Sequence, residues 1–241
     1  MNEFTAERAV ILAAGSGSRM APVTLDTPKP LVRIKGVRII DTLIDALLEA
    51  GIEDITLVRG YKKEQFDELL EKYPSLRFVD NDLYGTTGSI SSARAALKYI
   101  KDGCYFCEAD LLIRQPEIIR RYHASSDYLG SYARETDGWC LQEVGGRAVN
   151  YRKGNIECFN CYGISFWTPE DCDKLRADIE EAWNEDGGKS LSFEQIPLDI
   201  YKDNYDVKIH ECQKGDVIKT DTYHDLIALD PSYKGYQAKS Q

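Results

Sequence analysis

The apolar run Val10-Ile11-Leu12 breaks at once into Ala13-Ala14-Gly15-Ser16-Gly17-Ser18-Arg19, a bend of small residues that closes on a cation. With little or no side chain at Ala13, Ala14, Gly15 and Gly17, consecutive backbone N–H groups can turn toward phosphate oxygens. Arg19 adds a forked cation for the same charge. Thr27-Pro28-Lys29-Pro30 follows, with two prolines fixing the backbone that carries a second cation, Lys29. A small-residue loop alone is most often a plain strand-to-helix turn, so it is the cations beside this one that point to phosphate.

The periodicity after this bend predicts a parallel α/β sheet. Arg8 to Ala13 reads as a strand and Leu31 to Ile34 as a short extended piece. Ile40, Leu43, Ile44, Leu47 and Leu48 share one helical face that stops at Gly51. Ile55 to Val58 is a buried strand, Lys62 to Tyr73 a second helix closed by Pro74, and Leu76 to Val79 a further strand. Ala93, Ala96, Leu97 and Ile100 mark another helix, and Cys104 to Asp110 is an apolar strand ending in acids. Strand, helix, strand, helix over about a hundred residues implies helices on both faces, with ligands gathered at the carboxyl ends of the strands.

Beyond Asp110 the pattern changes. Pro116 to Tyr122 reads as a short helix, and Tyr128 to Ala133, Cys140 to Val144, Ala148 to Tyr151 and Cys161 to Trp167 as strands. Asp137-Gly138, Gly145-Gly146 and Lys153-Gly154-Asn155 are the expected turns between them. This predicts a small antiparallel substrate lobe over about 125–200, inserted in a core of about 8–115 and 200–230, all within one domain. Thr168-Pro169-Glu170-Asp171 starts a helix that runs to about Trp183. Phe193 to Tyr201 is a further helix, and Val207 to His210 and Val217 to Lys219 are late strands.

A net charge of −10 excludes a nucleic-acid partner, which needs a basic face, so any basic site here is local. No apolar run approaches the roughly 20 residues of a membrane span, and the N-terminus lacks a secretory layout, so a cytoplasmic chain without membrane insertion is expected. Seven cysteines, an odd count, favour free thiols. Cys104-x-x-Cys107 and Cys158-x-x-Cys161 imitate a zinc set, but residues three apart on a strand face opposite sides. His123, His210 and His224 read as structural or surface residues. The sequence carries no signal of oligomeric state.

The combined pattern LAAG-x-GSRM, then PKPLV, resembles the nucleotidyltransferases that activate sugar and alcohol phosphates with CTP, UTP or dTTP. The run MAPVTLDTPKPLV is similar to the CTP:phosphocholine cytidylyltransferase branch and its relatives that act on other aminoalkyl phosphates or phosphonates. The resemblance implies a Rossmann-like, mostly parallel sheet with helices on both faces. It also implies CMP transfer from CTP to phosphocholine, phosphoethanolamine or 2-aminoethylphosphonate, with release of pyrophosphate. The alternative is a sugar-1-phosphate nucleotidyltransferase, which shares the front half.

Residue by residue, the resemblance makes Arg19 and Lys29 catalytic. It gives Leu12, Ala13, Ala14, Gly15, Gly17, Thr87, Gly88 and Ser89 to the nucleotide, although the phosphocholine members tend to carry paired asparagines where Gly88 and Ser89 stand. Asp110 and Asp221 become ligands of Mg²⁺, with Glu108 a helper, and Lys219 stands where an acid is usual. Tyr132, Trp139, Phe193 and Glu194 are the parts available for the alcohol end, with Trp139, Phe193 and Glu194 the candidates to bind it. Aromatic faces suit a quaternary ammonium, whereas Glu194 and hydroxyls suit a primary one with N–H groups to satisfy. Trp139 reads equally as a lobe-core tryptophan. Ser192-Phe193-Glu194 replaces an aromatic pair followed by Asp, which weakens choline and leaves the three acceptors level.

Overall fold

The computed structural model describes residues 3–239. Nine strands and four helices position the site: β1 (Arg8–Ala13), α1 (Ile39–Glu49), β2 (Asp54–Arg59), β3 (Arg77–Asp80), α2 (Ile90–Ala95), β4 (Cys104–Glu108), β5 (Leu111–Ile113), β6 (Asp127–Val144), β7 (Arg147–Trp167), α3 (Pro169–Asn184), β8 (Lys208–Glu211), β9 (Val217–Lys219) and α4 (Tyr223–Leu229). Seven of these strands form one sheet in the order β8-β6-β7-β4-β1-β2-β3. The β4-β1-β2-β3 half is parallel, while β7 runs antiparallel to β4 and β6 antiparallel to β7. The α/β class expected from the sequence is the observed one.

Alternate residues of β1 explain the two layers. Ala9, Ile11 and Ala13 pack with Ile40, Leu43, Ile44 and Leu47 of α1, and Val10 packs on the other face with Ile90 and Ala93 of α2 and Leu175 and Ile179 of α3. A strand buried on both sides has no polar face to show, which is why β1 reads as an unbroken apolar run. Each fully buried Val, Leu or Ile among these contributes about 1.5–3 kcal/mol. Cys104 and Cys107 fall on opposite layers, as strand geometry requires. Among the described residues the cysteines are free thiols, and no helix is long and apolar enough to cross a membrane.

Several expectations need correction. The segment expected as a helix over Lys62 to Tyr73 is 3₁₀ from Lys63 to Glu71. Its buried anchors Phe66 and Leu69 are three apart, the spacing that eclipses in a 3₁₀ turn, and Leu70 is left 39% exposed. Phe193 to Tyr201 contains a π turn, Ile196–Ile200, and Pro116 starts only a single 3₁₀ turn. The extended piece near Leu31 is confined to Arg33–Ile34, paired with Val37–Arg38.

The lobe is built from two long strands, not four separate ones. Asp137-Gly138 and Lys153-Gly154-Asn155 lie inside β6 and β7, where register shifts bend the strands. Phe159 pairs with Tyr132 on one side and Leu141 on the other, so β6 folds back across β7. Gly145-Gly146 does make the turn, with φ of 60° and 75°. Thr168 caps α3 as expected, accepting from Asp171 N, with Pro169 at the first position.

Candidate functional site

Beyond β1 the chain makes a bend that requires glycine at position 17. Gly17 has φ of 62°, and a Cβ there would lie 2.8 Å from the Cβ of Lys29. The hydroxyl of Thr24 donates to the Gly17 carbonyl at 3.0 Å, and Tyr61 N donates to the Ala14 carbonyl at 3.0 Å. Both contacts hold the loop against the strand ends. Pro28 and Pro30 flank Lys29, whose side chain is 9% exposed.

Distant acids reach this loop through pairing that the local sequence does not show. β5 pairs antiparallel with β9, Leu111 opposite Lys219, and this draws Asp221 up beside Asp110. Lys29 Nζ donates to Asp110 Oδ2 at 2.6 Å and to Asp221 Oδ1 at 3.1 Å. Arg19 Nη2 reaches the same Asp221 oxygen at 3.2 Å. Burial works against the Asp221 charge, but the charges of Lys29 and Lys219, with the hydrogen bond from Lys29, override it and hold the carboxyl below its usual range. Asp110 Oδ1 is buried and has no hydrogen-bond partner among the described residues.

These groups share one cavity of about 390 Å³. Leu12, Ala13, Ala14, Gly15, Gly17, Arg19 and Lys29 line it from the loop. Thr87, Gly88 and Ser89 line it from the start of α2, and Asp110 and Asp221 from the ends of β4 and β9. Gly88 is pressed against the Leu191 carbonyl, where a Cβ would lie 2.0 Å away, so asparagine cannot stand there on this backbone.

The cavity contains further residues that the sequence reading did not assign, among them Tyr84 and Lys219. Tyr84 lies over Gly60, whose missing side chain leaves room for its ring. Lys219 forms an ion pair with Glu108. Burial opposes the Lys219 charge, but Glu108, Asp110 and Asp221 outweigh it and raise the pKa. Burial, reinforced by Asp110, pushes Glu108 up against the pull of Lys219. The only sign of Lys219 in the sequence was its place two residues before Asp221.

None of Trp139, Phe193 and Glu194 lines the cavity. Phe193 is a core residue, 2% exposed, stacked on Phe106 at 4.0 Å and edge-on to Trp167. Trp139 is 46% exposed and stacks on Tyr151 at 4.7 Å, outside the cavity lining. Glu194 is buried, and burial raises its pKa, with its own backbone N–H, the Lys219 charge and the Ser192 hydroxyl opposing the rise. His123 and His210 are buried around Asp127, with His123 Nδ1 2.6 Å from its carboxylate.

Comparison with known proteins follows the same lines. Residues 9–195 match the model of the MobA-like NTP transferase domain. The chain is 35% identical over 228 residues to the 2-aminoethylphosphonate cytidylyltransferase of Lancefieldella rimae, covering 93% of this chain and 92% of the relative. It is 30% identical over 233 residues to the choline-phosphate cytidylyltransferase of Streptococcus pneumoniae, covering 94% and 98%. The solved structure of the CTP:phosphocholine cytidylyltransferase from Streptococcus pneumoniae superposes with a TM-score of 0.84 at 29% identity, over 93% of this chain and 98% of that one.

Proposed function

The chain belongs to the MobA-like NTP transferase domain family, and on that premise we propose that it transfers CMP from CTP to a small aminoalkyl phosphate or phosphonate. Relatives matched over more than nine-tenths of both lengths are cytidylyltransferases for 2-aminoethylphosphonate and choline phosphate. The observation that carries the reading is Lys29 bridging Asp110 and Asp221 inside a cavity lined by the bare backbone of Ala13 to Gly17.

In the reaction an oxyanion of the acceptor attacks the α-phosphorus of CTP. A new P–O bond forms, the bond from that phosphorus to the bridging oxygen breaks, and pyrophosphate leaves with the electron pair. An anionic nucleophile needs no proton removed, so the work is alignment and charge neutralisation. The loop N–H groups between Ala13 and Gly17 face the phosphates, Arg19 and Lys29 neutralise charge that moves toward pyrophosphate, and Thr87, Gly88 and Ser89 hold the nucleoside end.

Asp110 and Asp221 would hold Mg²⁺. The fit rests on donor chemistry, since two hard carboxylates meet at the cavity and Asp110 Oδ1 is buried without a partner. When bound, the ion supplies charge neutralisation across the phosphate oxygens. Lys29, held by both carboxylates, keeps the pair together.

Pyrophosphate release tests the reading, with CTP, UTP and dTTP each crossed against 2-aminoethylphosphonate, phosphoethanolamine, phosphocholine and a sugar 1-phosphate. CTP with an aminoalkyl acceptor is expected to turn over, and to stop when divalent cations are chelated. Turnover with the sugar phosphate alone would overturn the assignment.

A further inference from the structure

The cavity contains an ion pair that the chemistry above leaves unused. Lys219 and Glu108 face each other with side chains 31% and 32% exposed, and both line the cavity. The carboxylate of Glu108 rests on Gly163, whose φ is 74° and where a Cβ would lie 2.6 Å from Glu108 Cδ. Space for that carboxylate is therefore built into β7.

Glu194 is buried, and the charge of Lys219 acts on it. Lys29 is taken by Asp110 and Asp221, and Arg19 by Asp221. Two carboxylates thus share one lysine. A buried carboxylate without its own cation is costly, so a further cation brought beside this pair would be favourable.

An aminoalkyl phosphate or phosphonate carries the two charges that the pair already presents, an oxyanion at one end and an ammonium at the other. We propose that the Lys219–Glu108 pair is the acceptor-specificity element. It opens when the acceptor enters, Lys219 turns to the phosphorus oxyanion, and Glu108, backed by Glu194, receives a primary ammonium. This rests on the cytidylyltransferase reading and narrows its substrate class. A primary ammonium donates N–H bonds to carboxylates, a trimethylammonium has none to give, and a sugar phosphate brings no cation.

The test is steady-state kinetics with 2-aminoethylphosphonate and with ethylphosphonate, the same skeleton without the amine, for wild type, Glu108→Gln, Lys219→Met and Lys219→Arg. Wild type is expected to favour the amine by at least about tenfold in kcat/KM, the scale of one charge-assisted hydrogen bond. Glu108→Gln, which can still accept from Lys219, collapses that ratio and leaves the KM for CTP in place. Lys219→Met raises the KM of both phosphonates alike by about tenfold or more, and Lys219→Arg recovers most of it. A structural role alone would move the KM for CTP and leave the amine ratio intact, and that result overturns the proposal. Should Lys219→Met fail to fold, the ratio in Glu108→Gln decides. A wild type that releases no pyrophosphate from CTP with any acceptor refutes the underlying reading and the proposal with it. Turnover with an unchanged ratio in Glu108→Gln refutes the proposal alone.

Discussion

Lys29→Met removes one ammonium and keeps its stem, which lies against Gly17. The lost Nζ contacts Asp110 at 2.6 Å and Asp221 at 3.1 Å. Each such contact is on the order of 4 kcal/mol at an effective dielectric near 20, before desolvation is set against it. After the substitution neither Asp110 oxygen has a side-chain partner, because Oδ1 already lacks one. An unpaired buried acceptor costs about 1–3 kcal/mol. At this chain length each kcal/mol lowers Tm by about 2–4 °C. Asp221 also loses a charge that held its pKa down. A depressed carboxyl adds stability above its unfolded pKa of 3.8, so the loss is felt at neutral pH and fades as pH falls through the folded value. For catalysis, removal of one preorganised cation from the developing charge costs about 10²–10³ in kcat. The assay is pyrophosphate release at saturating CTP and acceptor beside thermal unfolding. A folded variant with kcat within about threefold of wild type would refute the role given to Lys29.

Other substitutions probe the remaining parts. Asp110→Asn and Asp221→Asn should each abolish measurable turnover while the circular dichroism spectrum stays native, and a wild-type rate in both would remove the metal assignment. Trp139→Ala should raise the acceptor KM about three- to tenfold with little change for CTP, the scale of one aromatic stack of about 0.5–1.5 kcal/mol; equal effects on both substrates would make the Trp139–Tyr151 stack structural only. Burial raises the pKa of Glu194 above 4.5, so the folded state holds that proton more tightly than the unfolded chain. Its contribution to stability is full below 4.5 and is lost as pH rises through the raised value. Glu194→Gln should therefore gain in Tm relative to wild type as pH is raised, and parallel Tm curves would show that the carboxyl does not titrate in that range.

What the sequence revealed depended on how local the cause was. β1, β2 and β4 were legible because strands buried on both faces are mostly apolar, and α1 because Ile40, Leu43, Ile44 and Leu47 repeat at helical spacing. The bends inside β6 and β7 were not, since Asp137-Gly138 and Lys153-Gly154-Asn155 have turn chemistry yet lie within the strands, where the flanking pairs Thr136–Asn155 and Trp139–Lys153 hold the hairpin together across a register shift. Phe193 shows the same limit. Its aromatic ring suits a cation, but the space between Phe106 and Trp167 takes it into the core. The loop cations and both aspartates could be named one by one, whereas their meeting needed the β5–β9 pairing.

That pairing also says how the site is kept in register. Asp221 lies between β9 and α4, and Asp225 of α4 accepts from Asp221 N at 3.1 Å and from Thr222 N at 2.8 Å, closing a capping box with Thr222. The same helix sends Leu226 into a cluster with Met20, Val23, Val32, Ile34 and Ile39, the residues that back the cation-bearing loop. Loop and carboxylate are therefore fastened to one short helix, so loosening α4 moves both sides of the Lys29 contact at once. A rigid mount shared by cation and acid keeps their separation fixed while the cavity fills, and preorganised charge of this kind needs no rearrangement at the moment of reaction. The Lys219–Glu108 pair hangs from the same two strands, Lys219 on β9 and Glu108 on β4 against Gly163, so the opening proposed at the acceptor end is a rotation of side chains that leaves the strand register in place.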